Sequence, residues 1–198
     1  MLTSSHSTRV ENNTAAQEKK ELKLVFVGNV GSGKTTSIRA ISEIPVIGTE
    51  AKATEKDALH RKPETTVAME YGILHLHNTK LHIYGTPGQR RFDFMANLLC
   101  KGAAGMIVMI DNGHENPLLE LDYFLHFHHE FLKKHPTILA VTHYDDNETN
   151  THLVEYHQYA KEYGFHLPVV RLDAREKHQV IRIVEKLVLE IIRRNTAK

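Results

Sequence analysis

Beyond residue 21, apolar positions fall in short blocks separated by polar segments. Compact apolar runs of about four to eight residues indicate buried strands, whereas apolar residues repeated every three or four positions indicate helices. The predicted strands are 22–27, 67–77, 81–85, 105–111, 137–143 and 167–173. The predicted helices are 34–44, 92–100, 117–135, 151–164 and a final helix with Val180, Val184, Leu187, Val188 and Ile191 on one face.

Strands and helices alternate after an early pair of strands that is joined at residues 78–80, where we expect a hairpin. This order predicts an α/β domain with a mostly parallel six-stranded sheet and one antiparallel edge strand. Residues 45–65 are polar and predict a long loop. Residues 1–20 lack periodicity, so we expect a flexible N-terminal tail followed by one domain over 21–198.

Composition narrows the class of protein. Lys and Arg number 25 against 24 Asp and Glu, so the chain has no basic excess for nucleic acid. Cys100 is the only cysteine, which favours a reducing, cytoplasmic setting. The apolar runs are too short to cross a bilayer, and no secretion signal or lipidation motif is recognisable, so we expect no direct membrane insertion.

The segment GNVGSGKTT at 28–36 follows the first strand and opens the first helix. Its spacing matches the Walker A pattern, in which loop N–H groups, a lysine and a hydroxyl bind phosphates and Mg²⁺. We expect Lys34 to reach the β and γ phosphates and Thr35 to bind the metal. A simple glycine turn is the alternative. The predicted nucleotide-binding residues of this loop are Gly28, Asn29, Val30, Gly31, Ser32, Gly33, Lys34, Thr35 and Thr36.

Three further segments follow in order: TT at 65–66, YGTPGQRRF at 84–92 and VTHYD at 141–145. Together with the phosphate loop, they make residues 21–194 resemble the Ras-like small GTPases. The resemblance is nearest to the bacterial MglA branch and to the β-subunit type of signal-recognition-particle receptor. It implies a three-layer P-loop NTPase fold, GTP and GDP as ligands, and Mg²⁺ as the metal.

The resemblance assigns roles to the two segments that change with nucleotide state. Thr66, or alternatively Thr65, would bind Mg²⁺ and touch the γ phosphate. Gly88 would donate its amide to the same phosphate, and Gln89 would orient the attacking water. The catalytic set implied by the resemblance is therefore Gln89, Lys34 and Thr66, with Thr35 and Thr66 as metal ligands.

Two positions depart from the family pattern. Gly85 stands where these proteins usually carry an aspartate that holds Mg²⁺ through water, which puts metal affinity in question. Val30 replaces a frequent glycine and is expected to slow unaided hydrolysis by obstructing Gln89 or an arginine from a partner. Internal arginine donors would be Arg61, Arg90 or Arg91, although a solvated surface role is the alternative for each.

The base-reading motif Asn-Lys-x-Asp of the family is replaced here by Thr142-His143-Tyr144-Asp145. The Asp145 carboxylate would accept two hydrogen bonds from guanine and so select GTP over ATP. Thr142 would brace the loop, His143 would stack on the base, and the Ala174 amide would donate to the guanine carbonyl. The second base segment is Asp173, Ala174 and Arg175. An acidic loop without a ligand is the alternative for residues 142–146.

The resulting hypothesis is a GTP-binding switch with a low intrinsic rate of hydrolysis. The resemblance implies a GTPase-activating protein, of the roadblock type in the MglA branch, and effectors that contact residues 45–66, the segment after Gly88 and an exposed hairpin edge. The alternatives are a nucleotide-binding interaction module that hardly hydrolyses GTP and an ATP-using P-loop kinase. The 15 histidines do not form a convincing transition-metal motif.

Overall fold

The structure is a computed structural model that describes residues 20–48, 69–144 and 151–196. Its strands are β1 (Lys20–Gly28), β2 (Ile47–Gly48), β3 (Glu70–Leu76), β4 (Thr79–Gly85), β5 (Gly105–Asp111), β6 (Thr137–Thr142) and β7 (Val169–Arg171). Its helices are α1 (Lys34–Ile41), α2 (Asp93–Cys100), α3 (Pro117–Phe127), α4 (His129–Lys134), α5 (Thr151–Glu162) and α6 (Lys177–Thr196). A 3₁₀ turn, Arg90–Phe92, precedes α2.

The strands form one sheet in the order β2-β3-β4-β1-β5-β6-β7. β4, β1, β5, β6 and β7 are parallel, whereas β2 and β3 run antiparallel to their neighbours. The predicted α/β fold with a mostly parallel sheet is confirmed. The sheet has seven strands rather than six, because the two residues of β2 pair with β3 and take the edge position.

The core lies on both faces of the central strand β1. Leu24 and Phe26 pack on one face with α1 and α6, and Val25 and Val27 pack on the other face with α3 and α5. All four side chains are fully buried. This burial on both faces explains why β1 is a continuous apolar run rather than an alternating one.

The chain between α1 and β2 covers the outer edge of β3. The backbone N–H of Glu43 donates to the carbonyl of Ile73 at 2.8 Å. The Glu43 carboxylate accepts the N–H of His75 at 3.1 Å, and the Ser42 hydroxyl accepts the N–H of Ile73 at 3.4 Å. The hairpin edge that we expected to be open to partners is therefore largely paired within the chain.

The predicted helix 117–135 is two helices, α3 and α4, which meet at His128. His128 has φ −101° and ψ 15°, outside helical geometry, and only 3% of the residue is exposed. Its imidazole stacks on Phe124 with a ring separation of 6.2 Å. The break thus coincides with the insertion of one polar ring into the apolar layer, which the apolar pattern does not reveal.

The parallel strands β4, β1, β5, β6 and β7 end at the same edge of the sheet. The connections that leave this edge hold the phosphate loop, the segment after Gly85, and the two predicted base segments. Within residues 20–48, 69–144 and 151–196, no helix is both long and apolar enough to cross a membrane.

Candidate nucleotide-binding site

The loop between β1 and α1 contains two glycines at which a side chain would displace neighbouring atoms. A Cβ on Gly28 would lie 2.4 Å from the carbonyl oxygen of Met109. Gly33 has φ 92°, and a Cβ there would lie 2.8 Å from the Cβ of Ala174. The backbone therefore packs directly on β5 and on the β7–α6 connection, and α1 begins at the next residue.

Lys34 stands at the centre of this loop. Its Nζ donates to the carbonyls of Gly28 and Asn29 at 2.7 Å each and to the Ser32 hydroxyl at 3.3 Å. Burial lowers the pKa of Lys34 to about 8, and the carboxylates of Glu70 and Glu120 partly oppose that effect by attraction. A buried ammonium so placed gains strongly from a bound anion, as the predicted phosphate contact requires.

Gly88 lies against the phosphate loop. A Cβ on Gly88 would come within 2.4 Å of the Val30 nitrogen and 2.7 Å of the Asn29 carbonyl carbon. The Thr86 N–H donates to the carbonyl of Phe26 at 3.0 Å, which extends the pairing of β4 with β1 toward this contact. Gln89 follows, half-buried, at the start of the 3₁₀ turn. The structure thus brings Gly88 and the phosphate loop together.

Val30 is 66% exposed at the rim of the loop, beside Gly88. The exposed side chain and the backbone contact with Gly88, the residue before Gln89, leave the predicted obstruction of Gln89 as a prediction.

The described candidate arginines pack on aromatic rings. The Arg90 guanidinium lies 4.2 Å from the ring centre of Tyr123, whose hydroxyl donates to the carboxylate of Asp93. The Arg91 guanidinium lies 4.9 Å from the ring centre of Phe92. Arg90 also lines a small cavity with Gly28, Asn29 and Gly88, so it lies near the phosphate loop. Arg61 lies outside the described residues.

A cavity with a volume of about 410 Å³ opens beside the loop. Its walls come from the phosphate loop, the end of β6 and the β7–α6 connection. The lining residues are Gly31, Gly33, Thr36, Thr142, His143, Tyr144, Arg171, Leu172, Asp173, Ala174 and Arg175. The predicted phosphate and base segments therefore share one cavity.

Thr142 connects the base segment to the phosphate loop. Its hydroxyl lies 3.2 Å from the carbonyl oxygen of Ser32 and 3.2 Å from that of Ile110, and its single proton can be donated to either. The residue is 1% exposed. The hydroxyl thus links the end of β6 to the phosphate loop, and its role in nucleotide binding stays a prediction.

His143 is held by a residue that the sequence analysis missed. Its Nδ1 lies 3.0 Å from the Asp111 carboxylate, and its φ of 55° turns the chain at the end of β6. Asp111 ends β5 directly opposite Thr142 and also accepts the N–H of Gly113 at 2.9 Å. The only signal in the sequence was its position as the polar end of an apolar strand.

Asp173 and Arg175 pair with each other. The guanidinium donates to the two carboxylate oxygens at 2.9 and 2.7 Å, and the Arg175 N–H donates to the same carboxylate at 3.0 Å. These hydrogen bonds lower the pKa of Asp173 to about 2. The pair fixes the turn that places Ala174 against Gly33.

A second missed residue is Glu70, the first residue of β3. It is 8% exposed and lies directly across the ladder from Gly85. With the half-buried Thr35 at the start of α1, it gives this region two oxygen-bearing side chains of the type that Mg²⁺ prefers. The predicted residues Thr65, Thr66 and Asp145 lie outside the described residues.

Comparison with known proteins agrees with this geometry. Residues 23–145 match the family described as "Roc: Ras of Complex, Roc, domain of DAPkinase". A protein of Methanocaldococcus jannaschii, described as uncharacterized, is 37% identical over 94 residues, which cover 48% of this chain and 53% of that protein. The chain therefore spans about half the length of that relative.

Two eukaryotic relatives extend the likeness. Ras-related protein Rab-18 of Lymnaea stagnalis is 23% identical over 181 residues, covering 86% of this chain and 80% of that protein. Ras-related protein Rab-20 of Homo sapiens is 26% identical over 106 residues, covering 52% of this chain and 38% of that protein.

Proposed function

This chain belongs to the Roc family of Ras-like GTPase domains, and from that premise we propose that it is a nucleotide-dependent switch that hydrolyses GTP slowly without a partner. Membership of this family makes the chain a small GTP-binding protein. The observation that carries the finer proposal is the contact of Gly88 with the loop that surrounds Lys34. This contact joins the proposed phosphate-binding loop to a segment whose position would depend on whether the γ phosphate is present.

The phosphates would be bound by the loop N–H groups and by Lys34. Lys34 would exchange part of its contact with the carbonyls of Gly28 and Asn29 for phosphate oxygens. Mg²⁺ would be held by the hydroxyls of Thr35 and Thr66 and would neutralise developing charge on the phosphates.

Gln89 would position the water that attacks the γ phosphorus. The bond between the γ phosphorus and the β–γ bridging oxygen would then break, and that oxygen would stay on GDP while the water oxygen stays on the released phosphate. A neutral amide serves here by orientation rather than as a strong base. Release of phosphate would free the Gly88 segment and residues 45–66, and partners would distinguish the two states there.

The partners that fit this proposal are a GTPase-activating protein and effectors. An arginine from an activating partner is worth roughly 10³–10⁵ in rate in this class of enzyme. Since Arg90 and Arg91 are stacked on aromatic rings, an external donor fits the site better than either of them. A roadblock-type protein remains the proposed activator on the MglA resemblance.

Guanine selection is proposed to depend on Asp145. Replacement by asparagine inverts the donor–acceptor pattern, so Asp145→Asn should move preference from GDP to the xanthine nucleotide. Binding of fluorescent GDP, ADP and XDP to both proteins measures this. Unchanged selectivity in the variant would remove Asp145 from the base site.

Single-turnover hydrolysis with Mg²⁺·GTP tests the switch as a whole. We expect slow but measurable phosphate release by the wild type, and a rate lower by about 10²–10³ for Gln89→Ala, the loss seen when one transition-state contact is removed. Gln158→Ala, an exposed glutamine on α5, is the matched control and should hydrolyse normally.

A second candidate is a nucleotide-binding module with little hydrolysis, and the exposed Val30 beside Gly88 favours it. The two candidates differ in the response to Val30→Gly. An obstructed enzyme should gain rate in this variant, whereas a binding module should stay equally slow with Gln89 or with Ala at position 89.

A further inference from the structure

Gly85 ends β4 at the place where Ras-like proteins usually carry a metal-associated aspartate. The antiparallel register puts Glu70 of β3 directly opposite Gly85. Directly opposed residues of two neighbouring strands project to the same face of the sheet. The Glu70 side chain therefore leaves the sheet on the face where a residue at position 85 would project.

The two positions share one volume. A Cβ on Gly85 would lie 2.9 Å from Oε2 of Glu70, 3.3 Å from its Cβ and 2.8 Å from Cδ1 of Ile38. A side chain at position 85 would thus require the Glu70 carboxylate and the end of the Ile38 side chain to move. The absence of a side chain at Gly85 leaves room for the Glu70 side chain. The carboxylate at this position of the sheet thus comes from β3 instead of β4.

The Glu70 carboxylate lies on the side of the sheet that α1 covers. Its Oε2 and Cδ1 of Ile38 flank the same point, the Cβ position of residue 85, at 2.9 and 2.8 Å. Ile38 lies one helical turn after Thr35 on α1, so both residues are on the same side of that helix. The charge of Glu70 also opposes the lowering of the Lys34 pKa by burial, more than the charge of Glu120 does.

Within residues 20–48, 69–144 and 151–196, no hydrogen bond or ion pair engages the Glu70 carboxylate, although the residue is only 8% exposed. A carboxylate with so little exposure is stabilised when a cation or water completes its contacts.

We propose that Glu70 supplies the carboxylate that orders the water shell of the nucleotide-associated Mg²⁺, in place of the aspartate missing at position 85. Mg²⁺ retains several waters and is commonly bound by one or two protein oxygens together with phosphate oxygens. This inference rests on the proposed function, because it assigns a residue to the metal of the same site. The competing explanation is that Glu70 serves only as a counter-charge for Lys34.

Dissociation of a fluorescent GDP analogue, followed against free Mg²⁺ concentration, separates these explanations. Glu70→Gln keeps the shape and removes the charge. The Mg²⁺ concentration for half-maximal retention of GDP should rise roughly 10- to 100-fold, as is typical when a group that supports metal ligands is lost. In excess EDTA, the variant and the wild type should release GDP at equal rates.

The matched control is Glu43→Gln, which removes an exposed carboxylate at the same edge of the sheet and should leave the Mg²⁺ midpoint unchanged. A second variant moves the carboxylate back to β4: Glu70→Ala combined with Gly85→Asp should recover much of the wild-type midpoint. This double variant also answers the question if Glu70→Gln alone fails to fold, as judged by thermal unfolding.

Faster GDP release by Glu70→Gln in EDTA and in Mg²⁺ alike would assign Glu70 to Lys34 alone and overturn the proposal. A wild-type Mg²⁺ midpoint in a folded Glu70→Gln protein would overturn it as well. If the wild type itself retains no guanine nucleotide at any Mg²⁺ concentration, the proposed function fails, and this inference fails with it.

Discussion

The two ends of the candidate nucleotide cavity are built in different ways. At the phosphate end, one buried ammonium is held by three oxygens of its own loop, all within six residues of Lys34. At the predicted base end, His143 and the Asp173–Arg175 pair come from separate connections, and the side chains of His143 and Arg175 are mostly exposed. The predicted phosphate end is therefore built from neighbouring residues of one loop, whereas the predicted base end combines residues that are distant in sequence and exposed to solvent.

Two contacts join these ends. Gly33 packs against Ala174, and the Thr142 hydroxyl donates to the carbonyl of Ser32. Through them, a change in the base segments reaches the phosphate loop without passing through the ligand. The following variants test how unequal the two ends are and how strongly they are coupled.

The largest effect is expected from Lys34→Ala. The phosphates would keep their charge and lose the buried cation, so GDP affinity should fall about 100- to 1,000-fold, or about 3–4 kcal/mol. Isothermal titration with Mg²⁺·GDP measures this. Lys186→Ala, an exposed lysine in the middle of α6, is the control and should bind as the wild type does. A loss of less than threefold in Lys34→Ala would contradict the assigned phosphate contact.

The pH dependence of the nucleotide-free protein tests the burial of the same lysine. Because burial lowers its pKa to about 8, the unfolded chain binds one more proton than the folded chain between pH 8 and 10.5. The contribution of Lys34 to the free energy of unfolding should therefore rise with pH across this window, by up to about 3 kcal/mol.

The measurement compares urea unfolding of the wild type and Lys34→Met at pH 7, 8.5 and 10. The difference should move in favour of the wild type as the pH increases. A difference independent of pH would mean that the ammonium is solvated in the folded protein.

The coupling of the two ends is tested by Gly33→Ala. The left-handed backbone costs roughly 1–2 kcal/mol with any side chain, and the new Cβ would also press on Ala174. We expect lower stability together with at least tenfold weaker GDP binding. Gly102→Ala is a matched control, since it has φ 72° and no atom within 4 Å of the new Cβ. It should lose stability only; equal effects on binding would disprove the coupling.

A smaller effect is expected from Thr142→Val, which keeps the shape and removes the hydroxyl. The carbonyls of Ser32 and Ile110 would lose this donor in a buried place, at a cost of about 1–3 kcal/mol in unfolding free energy. Arg175→Ala removes an exposed ion pair and should cost less than about 1 kcal/mol. Thermal unfolding of both variants measures these losses of stability. A larger loss for Arg175→Ala than for Thr142→Val would contradict the prediction.

The parts of this molecule that the sequence predicted are those encoded within a few consecutive residues. The apolar runs of β1, β5 and β6 and the glycine spacing at 28–33 require no knowledge of distant residues. The two-residue strand β2 was missed because it is too short to carry a pattern. The break at His128 was missed because apolar residues continue through it and only tertiary burial of the imidazole distinguishes it.

The candidate site could be predicted only in part for the same reason. Gly85 alone looks like a lost metal ligand, and its meaning changes once the β3–β4 register puts Glu70 opposite. Asp111 likewise gains a role only because β5 lies beside β6 and brings it to His143. Contacts across strands depend on register, which residue spacing within one segment does not contain.

The covered edge of β3 has a consequence for how other molecules read this surface. The outward-facing amides of Ile73 and His75 are bonded to Ser42 and Glu43, so an incoming extended peptide would find no ladder to continue there. Proteins that bind this side of the sheet would therefore contact exposed side chains such as Ile47 rather than the β3 backbone. Edge-to-edge pairing of two copies of the chain along β3 is disfavoured for the same reason.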